Sequence, residues 1–118
     1  MKYYHATSFD NAIKIINDGY LKPIVDGVYF CTSCSDCLKF VYIRQRNTKC
    51  VIFEVDIDES DVSESFDHNE SFFKCKAYVS SSSISVMNIT DILCQGLSAD
   101  EVDMIYETYF AKRGGQHR

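Results

Sequence analysis

Two periodicities of apolar and polar positions run along the chain. Residues 2–5 are a short aromatic-rich segment that predicts a strand. Ser8 then precedes a stretch in which Ala12, Ile13, Ile15 and Ile16 gather on one side of a helix. Gly19 follows as a left-handed C-terminal residue. After Pro23, residues 27–31 predict a second strand, and Ser33 or Ser35 caps a helix running to Arg46. Residues 49–57, with Val51, Ile52, Val55 and Ile57, give the clearest strand pattern in the chain. Residues 56–69 are acidic and serine-containing with weak periodicity and predict a loop. Residues 71–79 and 84–89 predict two more strands, separated by Ser80, Ser81, Ser82 and Ser83. Ser98 and Glu101 have capping-box spacing, and Val102, Ile105, Tyr106 and Tyr109 give the helix over 98–112 an apolar face. The fold class expected is α+β, with early helices packed on a mostly antiparallel sheet and a helix at the C-terminal end.

Composition narrows this picture. A chain of 118 residues with 46% hydrophobic and 25% charged residues and a single proline describes one domain over 1–118, without repeats or a linker. That length buries enough surface to fold without disulfides or metal. No run approaches the ~20 apolar residues of a membrane span. The N-terminus lacks a basic segment followed by an apolar stretch, so a soluble, cytoplasmic protein with no membrane partner is expected. Twelve Lys and Arg against 17 Asp and Glu give a net charge of −5, which argues against general affinity for nucleic-acid backbone. Arg44, Arg46 and Lys49 cluster, as do Lys112, Arg113 and Arg118, and solvated surface is the ordinary reading of both groups.

The six cysteines, Cys31, Cys34, Cys37, Cys50, Cys75 and Cys94, read as free thiols in the absence of a secretory signal. Cys31, Cys34 and Cys37 have the spacing of part of an iron–sulfur motif, but the usual fourth cysteine and its proline are absent nearby. A zinc site would need His5, His68 or another cysteine as fourth ligand. No metal is expected, because cysteine is also a common small buried residue.

Three segments together resemble the ADP-ribosyltransferase superfamily, in the His-Tyr-Glu branch related to poly(ADP-ribose) polymerases and diphtheria toxin. The first is Tyr4-His5-Ala6-Thr7 followed by Asn11, Ile13 and Gly19-Tyr20-Leu21, similar to that family's His-Gly-Ser/Thr opening with its later Asn, Ile and Gly-Leu. The second, Gly27-Val28-Tyr29-Phe30, is similar to the family's Gly-Ile/Val-Tyr-Phe/Leu strand. The third is the following helix, where Phe40 stands at the place of a family aromatic. The likeness covers residues 3–41 well and the remainder loosely; order and spacing carry it, since each residue alone also fits an ordinary core role.

The resemblance implies a split, mostly antiparallel sheet and NAD as substrate. His5 and Tyr29 take the catalytic places, and His5, Ala6, Thr7, Tyr29, Cys37 and Phe40 the NAD-binding ones. Tyr29 and Phe40 would sandwich the flat nicotinamide by stacking. His5 would donate an N–H to a ribose hydroxyl, the Ala6 backbone would bond the carboxamide, and Thr7 would hold the nicotinamide-side ribose. Cys37 stands where relatives have a serine that bonds the carboxamide, a weaker contact here. Cys31, Cys34 and Cys37, on and after the Tyr29 strand, then read as pocket or core residues, lining beside the nicotinamide site rather than a metal signature.

One departure matters for chemistry. Relatives competent in transfer have a glutamate on a later strand that polarises the acceptor, and the matching position here is Ala77. Glu70 before that strand, Glu54 on the preceding strand, and substrate assistance are the alternatives; loss of transfer is the other. The function expected is therefore mono-ADP-ribosyl transfer to a macromolecular acceptor, protein or nucleic acid. The alternative is a catalytically inactive module of the same fold that binds NAD, ADP-ribose or a protein. The related RNA 2′-phosphotransferases rank third, because the basic residues that grip phosphate have no counterpart set here.

Overall fold

A computed structural model of the chain describes residues 2–22, 28–32, 49–65, 77–80 and 82–114. The strands are β1 (Lys2–Thr7), β2 (Tyr20–Leu21), β3 (Val28–Cys31), β4 (Cys50–Asp56), β5 (Ser63–Ser65), β6 (Ala77–Ser80), β7 (Ile84–Ser85) and β8 (Ile89–Gln95). Among the described residues two α-helices accompany them, α1 (Phe9–Asp18) and α2 (Ala99–Gly114). Six strands form one sheet in the order β5-β6-β3-β1-β4-β8, and β2 and β7 form a second, two-stranded sheet. The pairings in both are antiparallel, which makes the architecture α+β. No described helix is long and apolar enough to cross a membrane.

The apolar run over residues 50–53 of β4 follows from its interior place between β1 and β8. Cys50, Val51, Ile52, Phe53 and Val55 are all buried, so both faces of this strand are covered. Val51, Phe53 and Val55 join Ala12 and Ile16 of α1 and Ile105 and Tyr109 of α2 in the main core. Cys50 and Ile52 form a smaller cluster with Tyr4, Ala6 and Cys31 on the opposite face.

Local chemistry sets both helix boundaries. Ser8 Oγ accepts from the Asn11 amide at 3.2 Å, satisfying one of the donors that the first turn of α1 leaves open. Gly19 ends the helix at φ 86°, and its N–H reaches the carbonyls of Ile15 and Ile16. At the start of α2 the capping box is reciprocal: Glu101 N–H donates to Ser98 Oγ at 3.2 Å, and Ser98 N–H donates to Glu101 Oε1 at 2.9 Å. Lys49 Nζ donates to the same Glu101 oxygen at 3.3 Å and ties the helix to the entry of β4.

The tyrosines of α2 are turned inward. Tyr106 Oη donates to the Ile92 carbonyl at 2.7 Å and Tyr109 Oη to that of Ile89 at 2.9 Å, so α2 pins the backbone of the edge strand β8. Arg113 Nη1 donates to the Tyr109 hydroxyl at 2.9 Å, with its guanidinium 5.5 Å from that ring's centroid. The exposed aromatic of this helix is Phe110, stacked on Tyr106.

Three stretches differ from the sequence pattern. The strand expected over 84–89 is β7 followed by a 3₁₀ turn at Val86–Asn88, and β8 runs on to Gln95. A bulge hides β8: Val55 pairs with Ile89 while Glu54 pairs with Asp91, so Thr90 is the extra residue. Ile89 and Ile92 are consequently both buried although three positions apart, which breaks a period of two. Within the segment expected as loop, Glu59–Asp61 forms a 3₁₀ turn and Ser63–Ser65 an edge strand whose serines carry no apolar signal. The helix expected to end at Arg46 lies outside the described residues.

Two measurements check these local devices. Gly19→Ala puts a β-carbon at positive φ and 3.3 Å from Lys112 Cε. It should cost about 1–2 kcal/mol in urea unfolding. The Ser98 amide, aided by Lys49, holds the Glu101 carboxyl below the usual glutamate range. A depressed carboxyl stabilises the fold above its unfolded titration and loses that effect as pH falls through its folded one. Glu101→Gln should therefore be less stable than the wild type at neutral pH, with the difference closing on acidification below about pH 4.

Candidate functional site

β1 is held unequally by its two neighbours. On one side it pairs with β4 through six consecutive residues, from Lys2↔Asp56 to Thr7↔Val51. On the other it meets β3 at Tyr4↔Cys31, while β3 stays with β6 from Val28↔Ser80 to Cys31↔Ala77. The chain from His5 to Thr7 thus runs beyond the β1–β3 ladder, backed by β4.

Alternation along the strand turns Tyr3, His5 and Thr7 to the face that carries the main core. Tyr3 is buried, and burial, reinforced by Glu59, Tyr78 and Asp58, pushes its phenol pKa up. His5 is half-buried. Its ring centroid lies 5.8 Å from that of Phe30, which in turn lies 6.2 Å from that of Tyr3. Thr7 is only 7% exposed, and its hydroxyl has no hydrogen-bond partner among the described residues. A buried hydroxyl in that state carries a desolvation cost that a bound polar group would relieve.

The structure therefore brings His5, Ala6 and Thr7 together at one strand end, with the Ala6 backbone paired to Ile52 on the β4 side. Tyr29 takes its place in β3 as the partner of Val79. The described aromatic ring that meets His5 is that of Phe30, the next residue along. Sequence alone could not single it out, because the β1–β3 register decides which residue of β3 stands opposite His5. Cys37 and Phe40 lie outside the described residues, as do Cys34, Cys75, His68 and Glu70. Ala77 sits in β6 between Cys31 of β3 and Ser65 of β5.

Two expectations change. Cys31 packs in the small cluster with Tyr4, Ala6, Cys50 and Ile52, on the sheet face opposite His5, so of the pocket and core readings it takes the core one. Cys50 is buried in the same cluster, and Cys94 is a half-buried free thiol packed against the main core, its pKa raised by burial. Among the described residues no group of three or more His, Cys, Asp or Glu is placed to hold a metal.

Glu54 is the other correction. It pairs with Tyr4 while its neighbour Phe53 pairs with His5, which puts the carboxylate on the opposite face from the imidazole. There Tyr4 Oη donates to Oε2 at 3.2 Å, Thr90 Oγ1 donates to Oε1 at 2.8 Å, and Lys2 Nζ lies 3.8 Å from Oε1. Glu54 is a bonded member of the sheet's other face, not a substitute for a glutamate beside His5.

No protein-family model matches the sequence, and no curated protein matches it. Solved structures do share its fold. Protein CC0527 from Caulobacter crescentus superimposes with a TM-score of 0.62 at 10% sequence identity, covering 90% of this chain and 99% of that one. A double mutant of the same protein gives 0.61 at 10% identity with the same coverage. At that identity the likeness is one of fold, and it extends over nearly the whole of both chains.

Proposed function

We propose that this chain has an ADP-ribosyltransferase-like split-sheet fold, binds NAD where His5, Ala6 and Thr7 run beyond the β1–β3 ladder, and transfers the ADP-ribosyl group to a macromolecular acceptor. The observation that carries the reading is the end of the β1–β3 pairing at Tyr4↔Cys31, with the buried Thr7 hydroxyl, which has no hydrogen-bond partner among the described residues, on the same strand as the half-buried His5. These are the residues for which the sequence resembles the family.

In this reading Thr7 and His5 hold the nicotinamide-side ribose by hydrogen bonds. Fixing that ribose favours stretching of its bond to nicotinamide. The bond breaks with its electron pair passing to the ring nitrogen, which neutralises the pyridinium. The acceptor's nucleophile bonds to the anomeric carbon and gives up its proton. With Ala77 at the glutamate place and Glu54 on the other face, that proton leaves to the acceptor's own surroundings or to solvent.

A second reading is favoured by those last two residues: the same site binds NAD or ADP-ribose without transfer. Calorimetry with NAD, followed by labelled NAD with lysate and a nicotinamide-release assay, separates the two. Transfer above a His5→Ala control supports the first reading; binding without release supports the second; no binding at millimolar NAD removes both. His5→Ala should weaken NAD about tenfold, as expected for a hydrogen bond worth ~1.4 kcal/mol.

Thr7→Val should separate stability from binding. Removing a buried hydroxyl that has no partner among the described residues, from an isosteric side chain, should raise stability by about 0.5–1 kcal/mol in chemical unfolding. The same change should weaken NAD severalfold in calorimetry. A loss of stability would show that the hydroxyl is bonded within the protein.

A further inference from the structure

We infer that Phe30 is the positioning residue for His5: its ring, reaching from β3 across the point where the β1–β3 ladder ends, holds the imidazole in the orientation that the proposed NAD site uses. The inference rests on that reading of the site, but its physical basis is independent of NAD.

Backbone pairing fixes where His5 starts, not where its ring points. On the β4 side the strand is laddered through Phe53. On the β3 side the ladder has ended, and Phe30 supplies the ring contact across the divide. The Phe30 backbone is itself set by pairing with Tyr78 of β6. Tyr78, Tyr3, Phe30 and His5 form a string of rings with centroids 5.3, 6.2 and 5.8 Å apart and interplanar angles of 66°, 60° and 60°. The Tyr78–Tyr3 and Tyr3–Phe30 contacts are edge-to-face and the Phe30–His5 contact is tilted, arrangements that select orientation as well as burying area. Tyr3 and Phe30 are each 1% exposed, so neither ring has room for a second rotamer. Among the described residues the half-buried His5 stands at the end of this string, with its ring tilted 60° to that of Phe30.

The test compares Phe30→Leu with Phe30→Tyr, which keeps the ring, and with Ile105→Val, which trims the core under α2. His5 ring protons are followed by NMR, distinguished from those of His68 and His117 by the His5→Ala spectrum, and NAD affinity is measured by calorimetry. Phe30→Leu should remove the ring-current shift of His5 and weaken NAD about three- to tenfold, the range such ring contacts span. Phe30→Tyr should keep both within about twofold, and Ile105→Val should leave both unchanged while lowering stability. An unaltered His5 signal in Phe30→Leu, or equal loss of affinity in Ile105→Val, overturns the inference. If Phe30→Leu does not fold, the nuclear Overhauser contact between the Phe30 and His5 rings in the wild type decides, and its absence overturns the inference. A wild type that binds no NAD sinks the proposed function alone, because the His5 ring signal still reports whether Phe30 sets it.

Discussion

The ladder between β1 and β4 is the constraint from which the rest of the structure follows. Six consecutive antiparallel pairs hold the N-terminal strand against a strand that is buried on both faces. Because side chains alternate, that single register assigns Tyr3, His5 and Thr7 to one face and Tyr4 and Glu54 to the other. A slip of one residue would exchange the two sets and place a carboxylate in the core. The tight packing of Val51, Phe53 and Val55 against both helices makes such a slip costly.

The outer side of the same unit is secured differently. β8 is an edge strand, and edge strands expose carbonyls that invite further pairing. Two tyrosine hydroxyls from α2 bond the carbonyls of Ile89 and Ile92, so the terminal helix covers the edge with directed hydrogen bonds as well as apolar contact. The bulge at Thr90 is part of this arrangement, since it turns Ile89 and Ile92 to the same buried side and leaves Thr90 to bond Glu54. α2 in turn reaches α1, where Lys112 Nζ donates to the Asn17 carbonyl at 3.1 Å beside the left-handed Gly19. Helix ends, edge strand and bulge are thus one mechanical unit behind the central ladder.

The candidate site lies where this order stops. β1 continues past its pairing with β3, and the residues in that stretch, His5 to Thr7, are polar or small amid an apolar sheet. Their adjacency was legible in the sequence because they are consecutive. The facing ring was not, because Phe30 and Tyr29 are one residue apart and only register distinguishes them. Glu54 shows the same limit: as an acidic residue on a strand it was a reasonable substitute for the missing glutamate, until pairing with Tyr4 turned it away from His5.

By itself the sequence determined what depends on near neighbours. The Ser8 cap and Gly19 terminus of α1, the capping box of α2 and the apolar run of β4 all arise within a few residues, where hydrogen-bonding geometry and backbone torsions act locally. The mixed α+β class followed from those elements. Only the tertiary structure decided the strand order, the β8 bulge, the inward turn of the α2 tyrosines and the face on which each cysteine and carboxylate stands. These depend on pairing between segments distant in the chain, where a shift of one residue reverses which side a group faces, and nothing local encodes that choice.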